Sequence, residues 1–134
     1  MRYPGLTLRI LGAGNPAMGS AMGPAMGPGK AALISQIEVS GSISAAARDM
    51  GMSYRRAWQL VEAINASFTE PVVVTATGGK RGGGASVTAF GRELVAHFHA
   101  MEDKASAAIA DDVAQFTRQL TQRQIKPVAR RKSR

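Results

Sequence analysis

The sequence predicts an α+β fold in which three short helices precede a β-hairpin and one long helix. Apolar residues recur at helical spacing in three successive segments between Lys30 and Ile64. Beyond them, Val72–Thr75 and Ala85–Thr88 have the β-branched composition of short strands and flank a glycine-rich turn. From Thr88 to Leu120, large apolar residues return every three or four positions without a proline, which indicates the long helix.

The length of 134 residues fits one compact domain with a tail. We expect the domain over residues 1–88, the long helix over 89–121 and a basic, flexible tail over 122–134. With 17 Lys and Arg against 9 Asp and Glu, the formal net charge is +8, which favours a polyanionic partner, nucleic acid first and an anionic membrane surface second.

Other features of the composition narrow the class of protein. The chain has no cysteine, which excludes disulfides, thiolate metal sites and a cysteine nucleophile and fits a reducing compartment. No apolar run approaches the roughly 18 residues of a membrane span, so we expect a cytoplasmic protein with no membrane partner. His97 and His99 are two residues apart and point in different directions on a helix, which favours surface positions over metal ligands. We expect no catalytic residue and no metal.

The N-terminal part of the domain combines a strand pattern with a loop. Apolar and polar residues alternate from Tyr3 to Leu11, which predicts a first strand. Residues 12–29 are rich in Gly, Pro and Met and contain the unit AMG three times, and we interpret them as a flexible connector. Gly12, Gly14 and Ala17 match a loose dinucleotide-binding fingerprint, but the following glycines and proline stop the helix that the pyrophosphate requires. A nucleotide-binding protein is therefore the less favoured alternative.

The three short helices have recognisable ends. The first, from Lys30 to Ser40, stops before Gly41, a residue suited to the left-handed position after a helix. A second helix is expected to begin at Ser44 as its N-cap, and a third follows Ser53 as its N-cap. Two short helices joined by a glycine-containing turn, with a basic outer face on the second, match the helix-turn-helix pattern.

The third helix would then be the recognition helix of a DNA-binding protein. Arg55 and Arg56 lie near its N-terminal end, where an arginine can bind guanine O6 and N7 together in the major groove. Trp58 is interpreted as a wedge against the core rather than as a DNA contact. The residues of the helix pair that we expect to contact DNA are Ser42, Ser44, Ser53, Tyr54, Arg55, Arg56 and Gln59.

The hairpin and the long helix have expected roles of their own. A hairpin directly after a helix-turn-helix is a wing, and Lys80 and Arg81 at its tip are suited to backbone phosphates. The apolar stripe of the long helix is longer than one small domain can cover, so we expect it to pair with a second copy of the chain. The residues assigned to dimerisation are Phe98, Met101, Ile109 and Phe116.

Residues 41–93 resemble the N-terminal winged-helix domain of the molybdate-dependent transcriptional regulators, the ModE family. The motifs GSISAAAR, GMSYRRAW, TGGKRGGGA and VTAFGREL stand in the family's order and spacing. The resemblance implies a homodimer that represses molybdate-uptake genes or activates molybdoenzyme genes, with Ser53, Tyr54, Arg55, Arg56 and Gln59 in the recognition helix and Lys80 and Arg81 in the wing. Family members usually continue into small β-barrel domains that bind molybdate, and here only a tail follows the long helix. We therefore expect no cofactor in this chain and molybdate sensing, if any, by a separate partner protein.

Taken together, these features predict a winged helix-turn-helix domain with a long C-terminal dimerisation helix. Its function would be sequence-specific binding of duplex DNA and regulation of transcription, without enzymatic activity, in the cytoplasm on the nucleoid. The alternative is a nucleoid-type protein that binds DNA through charge alone.

Overall fold

The computed structural model describes residues 6–12, 22–76 and 84–121. Within these ranges, the strands β1 (Val73–Ala76) and β2 (Gly84–Val87) pair antiparallel, with Val73 opposite Val87 and Ala76 opposite Gly84. The predicted combination of helices with a small antiparallel sheet is therefore confirmed. The elements, in chain order, are α1 (Pro28–Ser40), α2 (Ile43–Asp49), α3 (Tyr54–Ser67), β1 (Val73–Ala76), β2 (Gly84–Val87), α4 (Ala89–Ala108) and α5 (Ala110–Thr117).

One hydrophobic core joins α1, α2, α3, the hairpin and the first part of α4. The predicted face of α1 is buried, and α2 contributes small alanines that allow neighbouring helices to approach closely. Phe98 of α4 is among the largest fully buried side chains, at 1% exposure. The other core residues of the helices include Leu33, Ile34, Ile37, Ala46, Ala47, Ala57, Val61 and Ile64.

Three predicted helix ends are confirmed. The Ser53 hydroxyl accepts the backbone N–H of Arg56 at 3.0 Å at the start of α3. Thr88 caps α4 in the same way, through a bond of 2.9 Å from the N–H of Gly91. Gly41 ends α1 with φ 73°, in the left-handed region that favours glycine.

The predicted cap of α2 is wrong. Ser42, and not Ser44, is the N-cap: its hydroxyl accepts the N–H of Ala45 at 3.0 Å. Ile43 is buried and already belongs to the helix, so the extended backbone that an N-cap needs falls one residue before it. Ser44 is exposed in the first turn of α2.

The strand predicted near the N-terminus is reduced to one antiparallel bridge, between Ile10 and Met26. The alternation itself is present, because Leu8 and Ile10 are half-buried while Arg9 between them is exposed. Residues 6–12 belong to no strand because no extended segment of the described chain pairs with them beyond that bridge.

The connector predicted over residues 12–29 ends earlier than expected. Met26 is in the core at 3% exposure, and α1 begins at Pro28. A proline suits this first helical position because its missing N–H would have had no partner in the helix. Residues 13–21 lie outside the described residues, and with them most of the nucleotide-binding fingerprint.

The single long helix predicted over residues 89–121 is interrupted. α4 ends at Ala108, Ile109 has φ −121° and ψ 22°, and α5 runs only from Ala110 to Thr117. Asp111 and Asp112 occupy the first turn of α5. Their carboxylates favour a new helix start at this point, because the N-terminal end of a helix carries partial positive charge.

His99 is not the freely solvated residue that the sequence suggested. Its Nδ1 lies 2.8 Å from Oε1 of Glu102, which is buried at 8% exposure, whereas His97 is exposed. Among the described residues, no three acidic or histidine side chains are grouped as a metal site. None of the described helices is long and apolar enough to cross a membrane.

Candidate nucleic-acid interface

A tight turn reverses the chain between α2 and α3. Gly51 has φ 71°, and its N–H donates to the carbonyl oxygen of Arg48 at 3.2 Å. The N–H of Met52 donates to the carbonyl of Ala47 at 3.0 Å, which closes the turn. A residue with a β-carbon would be strained at this φ, so Gly51 makes the tight reversal possible.

The structure brings the predicted recognition residues together on the exposed face of α3. Its opposite face is buried through Ala57, Val61 and Ile64, so the helix is held to the body along one side only. Trp58 is half-buried and packs against the core as predicted. The ring of Tyr54 packs edge-on against it, with the two ring centroids 6.3 Å apart. The predicted DNA contacts Ser53, Tyr54, Arg55, Arg56 and Gln59 are all exposed, as are Glu62, Ala66 and Ser67 further along the helix.

A lysine that is not among the predicted site residues lies beside this face. Lys30, in the first turn of α1, is only 6% exposed, and its Nζ donates to the carbonyl of Pro24 at 2.6 Å. Burial, and then the nearby charge of Arg56, lower the pKa of Lys30. The signal was present in the sequence, because Lys30 precedes Leu33, Ile34 and Ile37 at helical spacing and so continues the buried stripe of α1.

The hairpin is joined to the start of α2. The N–H of Ala85 donates to the carbonyl of Gly41 at 2.9 Å. A β-carbon on Gly84 would lie 3.2 Å from that same oxygen, so the approach leaves little room for a side chain at this position. The start of β2 therefore lies against Gly41, which directly precedes Ser42, the N-cap of α2. Lys80 and Arg81, at the predicted tip, lie outside the described residues.

Asn65, near the end of α3, was also missed, and it holds β1. Its Oδ1 accepts the N–H groups of Val72 and Val73 at 2.8 and 3.1 Å, and its Nδ2 donates to the carbonyl of Val73 at 2.9 Å. A single amide thus satisfies three backbone groups that enter the hairpin. An asparagine shortly before a Pro-containing turn was the available signal.

The residues assigned to dimerisation fall into two groups. Phe98 is in the protein's own core, at 1% exposure, and Met101 is half-buried against that core. Ile109 and Phe116 are 39% and 71% exposed. Within residues 89–121, the exposed large apolar side chains are those of Ile109, Phe116 and Leu120, all around α5.

Comparison with known proteins supplies relatives for part of the chain. The molybdenum-pterin-binding protein MopB of Rhodobacter capsulatus is 44% identical over 91 residues, which are 68% of this chain and 32% of that protein. The DNA-binding transcriptional dual regulator ModE of Escherichia coli is 39% identical over 85 residues, 61% of this chain and 32% of the relative. The molybdenum transport protein ModE of Azotobacter vinelandii is 39% identical over 77 residues, 58% of this chain and 28% of the relative.

No protein-family model matches the chain. The chain spans about a third of the length of the relatives that it matches. Over that shared part, it is homologous to the ModE and Mop proteins.

Proposed function

We propose that this chain regulates transcription by binding duplex DNA in a sequence-specific manner. In this proposal, α2 and α3 form a helix-turn-helix, α3 is the recognition helix, and β1 and β2 form a wing. The observation that carries it is the exposed first part of α3, where Ser53, Tyr54, Arg55, Arg56 and Gln59 stand on a helix buried along its other side. The name of the Escherichia coli relative, a DNA-binding transcriptional dual regulator, supports the proposal.

The chemistry of the exposed face suits a major groove. An α-helix fits the width of this groove, and an arginine guanidinium can bind two acceptors of one guanine. The net charge of +8 favours association with a polyanion. Ser42 and Ser44, at the start of α2, have hydroxyls that can donate to backbone phosphates. None of the three relatives described above has the name of an enzyme, which agrees with a role in binding.

The test begins by selecting the preferred duplex from a random pool and scrambling it as a reference. Arg55→Gln should weaken binding to the preferred duplex by about 1 to 3 kcal/mol and binding to the scrambled duplex much less. Lys104→Gln is the matched control, because it removes one exposed positive charge from α4. Equal losses on both duplexes in Arg55→Gln would contradict base readout by α3.

The basic composition favours one other function, charge-driven binding of DNA without sequence preference. The same titrations separate the two functions. Equal affinity of the unaltered protein for the preferred and scrambled duplexes would support the nucleoid-type alternative.

We propose that Lys80 and Arg81 of the wing increase the affinity for DNA by contacting backbone phosphates. Phosphate contacts act through counterion release and do not depend on base sequence. Replacing both residues by glutamine should therefore weaken binding to every duplex by the same factor. The slope of log affinity against log salt should fall by up to about two units. An unchanged slope would exclude contact of these residues with the DNA backbone.

We also propose that two copies of the chain associate through the region around α5. Ile109, Phe116 and Leu120 are exposed apolar side chains there, and a two-fold dimer would match a palindromic site. The combined substitutions Ile109→Asp and Phe116→Asp should give monomers in sedimentation at micromolar concentration. A dimer that persists would place the interface elsewhere.

Genes of molybdate uptake or of molybdoenzymes are the proposed targets, with the chain acting as a repressor in the cytoplasm. The resemblance of residues 41–93 to a DNA-binding domain supports molybdate sensing by a separate partner protein. The name of the Rhodobacter relative, which describes binding of a molybdenum-pterin, favours the opposite view. Calorimetry of the full chain with molybdate distinguishes the two, since a saturable heat at micromolar molybdate would overturn sensing by a partner.

A further inference from the structure

Two cationic side chains from different helices are held on the same short segment, residues 22–24. Lys30 of α1 donates from Nζ to the carbonyl oxygen of Pro24 at 2.6 Å. Arg56 of α3 approaches the same segment, with Nη1 4.0 Å from Sδ of Met22. Each residue belongs to the first turn of its helix, so the N-terminal ends of α1 and α3 meet at this segment.

The two charges have no carboxylate partner among the described residues. The acceptors that they contact, a carbonyl oxygen and a thioether sulfur, are uncharged. Lys30 is almost completely buried, and a buried charge is ordinarily paired with an opposite one. Burial, and then the nearby positive charge of Arg56, lower the pKa of Lys30. A bound anion would remove this repulsion.

We propose that Lys30 and Arg56 form a two-cation site for one phosphate group of the DNA backbone. Arg56, which is exposed, contacts the phosphate, and Lys30 supports it from beneath the surface. The site rests on the proposed DNA-binding function. It also divides the two adjacent arginines of α3, because successive residues lie about 100° apart around a helix. Arg55 reads bases, and Arg56 positions the protein on the backbone.

The competing explanation is that Lys30 only fastens residues 22–24 to α1. That role predicts a loss of stability on substitution with no change in the salt dependence of DNA binding. The phosphate site predicts a change in salt dependence that is the same for every duplex sequence.

The experiment compares Lys30→Met and Arg56→Gln in the full chain, singly and together. Methionine keeps the length of the buried lysine stem, and Arg56 is exposed, so this second variant is expected to fold even where the first does not. Anisotropy titrations on the preferred and scrambled duplexes are repeated across a salt series. Arg55→Gln and Lys104→Gln are the controls.

Arg56→Gln should weaken binding to both duplexes by the same factor. It should also lower the slope of log affinity against log salt by about 0.9, the value for one phosphate contact. Lys30→Met should lower the slope by less. The double variant should lose no more duplex affinity than Arg56→Gln alone, because both cations act on the same phosphate. Arg55→Gln should instead reduce discrimination between the two duplexes.

A second readout needs no DNA. Inorganic phosphate, compared with chloride at equal ionic strength, should raise the Tm of the unaltered protein and of Arg55→Gln, but not that of Arg56→Gln. A protein that binds no duplex would overturn the proposed function. Normal duplex binding with unchanged salt slopes in Arg56→Gln and Lys30→Met would overturn the phosphate site alone.

Discussion

α4 and α5 share one apolar pattern in the sequence but have opposite surroundings. In α4, Val95 and Phe98 are buried in the core, where this helix packs against α1 and β2. Around α5, Ile109 and Phe116 keep the same helical spacing yet are 39% and 71% exposed, and no residue of α5 is buried. The difference shows that a helical period reveals an apolar face but does not reveal what covers it.

The backbone contact at the start of α4 accounts for much of this difference. A β-carbon on Gly91 would lie 2.7 Å from the carbonyl oxygen of Val72 and 2.9 Å from Cγ1 of Val87, so the helix touches the hairpin directly. Thr88 adds a bond of 2.8 Å from its hydroxyl to the carbonyl of Pro71. No equivalent attachment is found for α5 in the described residues, and its N-cap, Ile109, has no side-chain hydrogen bond.

The largest expected effect comes from truncating matched phenylalanines in the two helices. Phe98→Ala should lower the free energy of unfolding by about 3 to 5 kcal/mol, because it leaves a cavity in the core. Phe116→Ala should change it by less than about 0.5 kcal/mol in the monomer, because the ring is exposed. Urea titrations at low protein concentration measure both. A large loss in Phe116→Ala would show that α5 packs on the body of the protein.

A methyl group at the contact between α4 and the hairpin should have the next largest effect. Gly91→Ala should cost about 1 to 3 kcal/mol, since the atoms that it meets belong to backbone and to buried valines. Gly29→Ala in α1 is the control: its β-carbon would meet nothing within 4 Å, and alanine favours a helix over glycine by about 0.5 to 1 kcal/mol. If Gly91→Ala proved as stable as Gly29→Ala, the close approach of α4 would be disproved.

The smallest effect concerns two threonines. Thr88→Ala should cost about 1 kcal/mol, because it removes the cap of α4 and the bond to Pro71. The hydroxyl of Thr117 donates to the carbonyl of Ala114 on the exposed side of α5. Thr117→Ala should therefore change the free energy of unfolding by less than about 0.5 kcal/mol. Thermal denaturation of the two variants at equal concentration would test the contrast, which equal shifts in Tm would contradict.

Local signals were sufficient for part of the fold and of the candidate site. Ser53 and Thr88 were recognised as caps because a hydroxyl before an apolar helical pattern has one strong local use. Gly41 was recognised because few other residues adopt its φ. The exposed position of Arg55 followed from the period of α3, since the apolar residues of that helix leave only one side for charge.

Other features depended on residues far apart in the chain. The alternation before Ile10 predicted a strand, but a strand also needs a partner, and the described chain supplies one bridge with Met26. The choice of Ser42 over Ser44 followed from the burial of Ile43, which decides where the extended backbone ends. The break at Ile109 occurs where the packing of α4 on the core has ended.

The sequence by itself determined the apolar faces, the helix ends marked by Gly, Ser and Thr, and the positive charge of the chain. These depend on interactions within about four residues, where chemical type decides the outcome. Only the tertiary structure decided that Phe98 belongs to the core while Phe116 is exposed, and that Lys30 lies beside Arg56. Such relations depend on which segments meet in space, and 25 intervening residues separate that lysine from its arginine in the chain.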